Sequence, residues 1–249
     1  MCLAGFHAVG ARLRFAPETI RCVYLDAQRK DKRMVRLSED LKKNGIKTIY
    51  ADTKRLSAMV SGEIPHQGVV AQVKALPAAA MSFDELLDQI SSRTLLLILD
   101  GVTDPRNFGA CLRCADAAGV QAVIVPKDRS AGMTPVTAKA AAGAAETVPV
   151  IRVTNLASAI VELKDAGVLV VGTAGETDKT IYEFDQNRAF AWVLGAEGEG
   201  MRQLTRKRCD DLAAIPLLGS VESLNVSVAA GVCLYETVRQ RRLKEHAGS

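Results

Sequence analysis

The sequence predicts an α/β protein: a mostly parallel sheet covered by helices on both faces, preceded by a small α/β module. Three observations carry this. Over residues 93–249, short near-continuous apolar runs alternate with helical segments, as expected of strands buried on both faces of a parallel sheet. Residues 1–75 show a shorter alternation of the same kind. Between them Leu76-Pro-Ala-Ala-Ala-Met-Ser82 has a proline, small residues and no periodicity, so 76–92 reads as a linker. A chain of 249 residues can carry one large domain or a large domain with a small one, and can bury a real core.

In the first module 21–27 reads as a strand, 32–44 as a helix stopped by Gly45, and 46–51 as a second strand. Asp52 or Thr53 then caps a short helix to about Val60, and the β-branched run 68–73 closes the module. Beyond the linker, strands are expected at 94–99, 122–125, 150–153, 168–172, 189–195 and 212–216. Helices fall between them at about 107–118, 134–143, 155–166 and 201–209, with a last one over 224–243. The stretch 224–234 of that last helix is apolar nearly all round, which predicts a buried helix.

Composition excludes several classes. Hydrophobic residues make 48% and charged residues 24%, which is globular usage. The longest strongly apolar run, Leu95–Leu99, is far short of the ~20 residues that cross a bilayer. The first residues show neither a basic n-region nor an apolar h-region, so a cytoplasmic protein without signal peptide or membrane contact is expected. The six cysteines are scattered; Cys111 and Cys114 form a C-x-x-C, but no second pair and only three histidines accompany them. They read as reduced core residues, with no metal site. His7 and His66 likewise read as structural.

The net charge of +4 is uneven. Residues 1–80 carry 14 Lys/Arg against 7 Asp/Glu, and residues 81–249 carry 18 against 21. The basic first third points to an anionic partner, nucleic acid above all.

Parallel α/β sheets bind ligands at the carboxyl ends of their strands, and three loops there carry polar clusters. In the first, Asp100 to Arg113, Pro105 holds Asp104 extended, Asn107 is placed to cap the following helix, and Arg113 lies about 9 Å further along it. The fork of Arg113 suits phosphate. The second, Gly195-Ala-Glu197-Gly-Glu199-Gly200, lets backbone amides approach a ligand closely. Its spacing is not the G-x-G-x-x-G of dinucleotide folds, and two glutamates would repel a pyrophosphate, which disfavours an NAD-dependent oxidoreductase. In the third, Ser223, Asn225 and Ser227 open an otherwise apolar helix, and buried polar groups of this kind need partners.

In order, N-F-G-x-x-x-R (Asn107 to Arg113), L-G-A-E-G-E-G-M (Leu194 to Met201) and I-P-L-x-G-x-V-x-S-L-N-V-S-V-A (Ile215 to Ala229) resemble the three motifs of the SpoU-class RNA 2′-O-ribose methyltransferases, within the SPOUT superfamily. Gly5-Phe-His-Ala-Val9 and His66-Gln-Gly-Val-Val70 are similar to the small substrate-binding domain of the bacterial enzymes of that class that methylate guanosine in 23S rRNA. The resemblance implies a C-terminal trefoil knot, S-adenosylmethionine as methyl donor, a homodimer in which motif 1 of one subunit completes the site of the other, and 23S rRNA or a ribosome precursor as partner. Methylation of tRNA ribose is the alternative within the class. By resemblance, residues 1–75 bind RNA, 93–249 form the methyltransferase domain, and backbone around Thr173, Gly195, Ile215, Leu217 and Leu224 cradles the cofactor. Asn107, Arg113, Glu197, Ser223 and Asn225 are the implied catalytic set. The family often casts its motif 1 arginine as the base; a guanidinium stays protonated, so Arg113 is read here as a grip on the flanking phosphate.

Overall fold

The computed structural model describes residues 2–15, 17–60, 66–74 and 81–247, and its contacts divide the chain into two units, Met1–Ala78 and Ala79–Ser249. In the first, β1 (Cys2–Ala4) leads into α1 (Phe6–Phe15), followed by β2 (Ile20–Asp26), α2 (Lys32–Lys43), β3 (Thr48–Ala51), α3 (Thr53–Met59) and β4 (Val69–Val73). The sheet order is β1-β4-β2-β3, with β2 parallel to β3 and antiparallel to β4. Asp31 caps α2 by accepting from the Arg33 and Met34 amides at 3.0 and 3.3 Å. Met34, Leu37 and Leu41 then share one face and enter the core beside Val23 and Leu25. Asp52, not Thr53, caps α3, accepting from the Arg55 amide at 2.7 Å. The pair β1 and α1 has no counterpart in the sequence reading: three residues are too few for a strand pattern, and α1 is only weakly amphipathic.

The second unit begins inside the stretch read as a linker. Residues 75–80 lie outside the described residues, but α4 (Phe83–Asp88) follows at once, closed by a capping box between Ser82 and Glu85 and burying Leu86. Then come β5 (Leu95–Asp100), α5 (Pro105–Ala118), β6 (Ala122–Pro126), α6 (Pro135–Ala141), α7 (Ala144–Thr147), β7 (Val150–Val153) and α8 (Leu156–Asp165). They are followed by β8 (Leu169–Thr173), β9 (Phe190–Gly195), α9 (Gln203–Arg208), β10 (Asp211–Ala213) and α10 (Val226–Ala247). The six strands run β10-β8-β9-β5-β6-β7, every neighbouring pair parallel. Strand period divides the run in β5 between two cores. Leu95, Leu97 and Leu99 pack with Phe108, Trp192 and Leu234; Leu96 and Ile98 pack with Leu86, Ile160 and Leu163.

Four expectations are corrected. The cap of α5 is Asp104, which accepts from the Arg106 amide at 2.8 Å, and Asn107 lies in the first helical turn. Proline is favoured at the first helical position because it lacks the amide that would go unpaired there, so the cap falls one residue before Pro105. The expected helix 134–143 is two, α6 and α7, because the backbone turns left-handed at Ala142 (φ 52°) and Gly143 (φ 106°). The ladder of β10 ends at Ala213, short of Pro216. Finally, α10 is not buried all round: Ala230, Cys233 and Leu234 enter the core, while Val228 and Tyr235 are 51% and 52% exposed.

Two devices hold α10 to the sheet, the first buried and the second half-buried. The indole of Trp192 donates to Thr237 Oγ1 at 3.0 Å, and Thr237 donates in turn to Gln186. Arg241 donates to the carbonyls of Arg93, Thr94, Gln186 and Arg188 at 2.6 to 3.1 Å, at the amino ends of β5 and β9.

Candidate active site

A cavity of about 490 Å³ opens at the carboxyl ends of β8 and β9, within the range of small-molecule sites. Its walls are Thr173–Glu176 after β8, Leu194–Met201 after β9, Arg206 from α9, and Ile215, Leu217 and 222–224 on the way to α10. Parallel strands end together, so loops distant in sequence meet here.

The loop after β9 is closed on itself. Ala196 and Gly200 exchange backbone hydrogen bonds at 3.1 and 2.9 Å, and a Cβ on Gly195 would stand 2.0 Å from the Gly200 carbonyl carbon. Only glycine allows that approach. The far end of the loop is tied to β5: Asp100, with its carboxylate fully buried, accepts from the Arg202 amide at 2.9 Å and from Arg202 Nε at 2.6 Å. A charge-assisted pair of this kind fixes geometry as well as contributing energy.

At the rim, three distant stretches converge on one carboxylate. Glu197 Oε1 accepts from Asn107 Nδ2 at 3.1 Å, from the Val226 amide at 3.2 Å, and from Asn225 Nδ2. Asn225 Nδ2 also reaches Asn107 Oδ1 at 2.9 Å, while Asn225 Oδ1 accepts from the amide and hydroxyl of Ser227 at 3.0 and 2.6 Å. The carboxylate thus sits at the N-terminus of α10, where the helix dipole favours negative charge. Loss of the cap leaves the Asn107 side chain free for this network.

Of the sequence-selected residues, Thr173, Gly195, Glu197, Ile215, Leu217, Ser223 and Leu224 line the cavity, and Asn107 and Asn225 join it through Glu197. Arg113 does not. Six residues turn an α-helix through 600°, so it points about 120° away from Asn107, is exposed, and lies outside the cavity wall. Gly109 of the first motif serves packing, since a Cβ there would lie 2.5 Å from the Thr137 carbonyl of α6. Asp100, Glu176, Met201, Arg206 and Glu222 belong to the site and were not singled out. The acid that ends the apolar run of β5 is a legible signal for Asp100, and Met201 closes the second motif; Glu176, Arg206 and Glu222 carry none.

No group of His, Cys, Asp and Glu among the described residues is arranged to hold a metal. Burial, reinforced by the neighbouring Cys114 and Glu197, pushes the Cys111 thiol up to about 12, and burial raises Cys114 too. His66 accepts from the Gly68 amide through Nδ1 and meets Ser57 through Nε2, both at 3.0 Å, so it holds a turn. The side chain of His7 lies outside the described residues. No helix among the described residues is long and apolar enough to cross a membrane.

Residues 2–79 match the family described as RNA 2′-O ribose methyltransferase substrate binding. The chain is 56% identical to the 23S rRNA (guanosine-2′-O-)-methyltransferase RlmB of Ralstonia nicotianae, over 96% of this chain and 95% of that one. It is 52% identical to the protein of the same name from Escherichia coli (strain K12), over 95% and 97%. Among solved structures it is similar to the SpoU methyltransferase AviRb from Streptomyces viridochromogenes in complex with the cofactor AdoMet. That match has 26% identity, covers 97% of this chain and 90% of the other, and has a TM-score of 0.74. The second unit carries the remaining match: residues 94–235, more than half of the chain, fit the model of the SpoU rRNA Methylase family, and the chain belongs to that family.

Proposed function

We propose that this protein transfers the methyl group of S-adenosylmethionine to the ribose 2′-hydroxyl of a guanosine in 23S rRNA, in the cavity bounded by Gly195, Ile215 and Leu224. The observation that carries the reading is the meeting of Asn107, Glu197 and Asn225 at the cavity rim. The residues present fit the cofactor. Leu194, Ile215, Leu217, Leu224 and Val226 offer apolar surface to an adenosine, and four glutamates against the single Arg206 among the lining residues suit a ligand of net positive charge. When bound, S-adenosylmethionine supplies an electrophilic methyl on a cationic sulfur.

The chain's own part is placement and charge. Glu197, held by three donors, fixes the two asparagines, whose amides orient the ribose and the loops; Ser223 assists from the cavity wall. Arg113 grips the phosphate beside the target nucleotide and stabilises the negative charge that develops on the hydroxyl oxygen, the proton leaving to phosphate or water. Because Arg113 faces away from its own cavity, it serves the cavity of a second subunit. Exposed Val228 and Tyr235 on α10, with Leu218 and Val221 fully and 60% exposed in the preceding loop, provide the apolar surface of such a homodimer. The C-terminal segment, passing from the β10 edge back to α5, forms the knot. Residues 1–75, with exposed Lys30 just before α2 and Lys32, Arg36 and Lys43 along it, dock the RNA in the cytoplasm.

Mixing two inactive variants tests both site and dimer. If Arg113 acts across subunits, Arg113→Ala and Glu197→Ala chains re-form one intact site in each mixed dimer, restoring about a quarter of wild-type tritiated-methyl transfer. No restoration refutes the shared site. Mapping ribose methylation in cells lacking the chain identifies the substrate: loss of one 2′-O-methylguanosine in 23S rRNA is expected, and loss confined to tRNA overturns the assignment.

A further inference from the structure

We propose that the loop after β6, residues 127–130, is a phosphate-binding element that holds the RNA strand on the catalytic unit itself. The proposal rests on the reading of rRNA as substrate and of Asn107 as part of the site. Residues 81–249 carry 18 basic against 21 acidic side chains, so the charge of this unit gives no reason to expect RNA contacts. Yet the segments at the carboxyl ends of the neighbouring strands β5, β6 and β7 carry exposed Arg106, Lys127, Arg129 and Arg152, the last committed to the loop itself, with Asp104 and Asp128 as the acids among them in sequence. Asp104 is occupied with the cap of α5.

The backbone of the loop is the second observation. Arg129 has φ 55°, the left-handed region that L side chains rarely adopt. A glycine would make the same turn without strain, so the strain is not explained by the turn; what it retains at this point is a guanidinium. The surroundings force the conformation. Ser130 Oγ donates to the Pro126 carbonyl at 2.7 Å, and the two ends of the Arg152 fork donate to Ser130 Oγ at 2.9 Å and to the Ala131 carbonyl at 2.7 Å. The Ala131 amide donates to the Val102 carbonyl at 2.9 Å, which ties the loop to the segment that carries Asn107. Lys127 and Arg129 are thereby presented outward on a rigid loop registered to the site, the arrangement that positions a polyanion with little ordering cost. Charge complementarity selects the phosphodiester backbone flanking the target nucleotide as the occupant.

Two substitutions remove the charge without disturbing the turn: Arg129→Gly, and Arg129→Asn, since asparagine tolerates the left-handed region. Arg188→Asn is the control, a cation of the same unit just before β9 at the opposite, amino edge of the sheet. Binding of an rRNA fragment is measured across salt concentrations, with S-adenosylhomocysteine binding, melting temperature and sedimentation alongside. The expected result is a log–log salt slope shallower by about 1 for both Arg129 variants and affinity about five- to tenfold weaker near ~0.1 M salt, the contribution of one phosphate contact. Arg188→Asn keeps the wild-type slope, S-adenosylhomocysteine binds unchanged, and Arg129→Gly melts no lower than wild type. Wild-type slopes in the Arg129 variants, an equal loss in Arg188→Asn, or a changed oligomeric state with an unchanged slope would each overturn the proposal, the last assigning the loop to a subunit contact. Failure of the wild-type protein to bind the fragment or S-adenosylhomocysteine would instead strike the functional reading.

Discussion

Replacing Gly195 by alanine tests whether the closed loop after β9 is the cofactor cradle. The new methyl would stand 2.0 Å from the Gly200 carbonyl carbon and 2.2 Å from the Met201 nitrogen. Ordinary carbon contacts lie near ~3.5–4.0 Å, so the loop must retreat by about 1.5 Å. The atoms in the way are backbone, and a side-chain rotation cannot relieve them. Retreat breaks the two reciprocal hydrogen bonds between Ala196 and Gly200, at about 0.5–1.5 kcal/mol each. If binding needs the closed loop, that energy of about 1–3 kcal/mol is subtracted from affinity, a loss of roughly 5- to 150-fold at about 1.4 kcal/mol per tenfold. Stability falls by no more than the same figure of about 1–3 kcal/mol, because that figure is already net of water replacing the two lost partners in the free protein. Isothermal calorimetry with S-adenosylhomocysteine gives the first quantity and thermal denaturation the second. Binding within twofold of wild type would show that the loop does not cradle the cofactor.

Asn107→Ala removes one donor to Glu197 and the acceptor of Asn225 while leaving the cavity wall intact, so kcat should fall about 10–100-fold with S-adenosylhomocysteine affinity within threefold of wild type. Thr237→Val strands the Trp192 indole N–H and Gln186 Oε1 in the core, which should cost about 3 kcal/mol and lower the melting temperature by about 6–12 °C, read by calorimetry. The fork of Arg239, aided by Gln240, holds the buried Glu236 carboxyl below its usual range. Its stabilising contribution is therefore full above the unfolded value of about 4.3 and is lost as pH falls through the folded value, so the melting-temperature gap between wild type and Glu236→Gln should be constant from pH 6 to 8 and close below about pH 4. With Cys111 and Cys209 raised to about 12 by burial, mild alkylation at pH 8 should label exposed Cys2 first, as mass spectrometry of the peptides would record.

Most of the fold was legible because its signals are local. The strands of the second unit are short apolar runs between helices, and β5, β6 and β9 were placed within two residues for that reason. Asp52 and Gly45 act where residue chemistry predicts, as a cap and as the left-handed residue that follows α2. The errors arose where a local signal competed with a neighbour. Asn107 is a good cap in isolation, but Pro105 already sets the first helical position. The stretch 224–234 that opens α10 is apolar nearly all round, and apolarity alone does not distinguish burial in the chain's own core from an apolar face left exposed, as Val228 is.

The site was legible differently. Single clusters were ambiguous, since an asparagine, a glutamate and a serine each have ordinary structural uses. Their coherence lies in the parallel sheet: β5 and β9 are neighbours, so the loops that follow them emerge side by side, and Asn107 meets Glu197 across 90 residues of sequence. What that topology cannot encode in spacing is helical phase combined with assembly. Arg113 shares a motif with Asn107, yet the 100° step of the α-helix turns it to another face. A motif that joins two residues no single cavity can use together is itself a signal: if both act in one reaction, two copies of the chain must meet, as the dimer proposed above would have them do through the exposed apolar residues of α10.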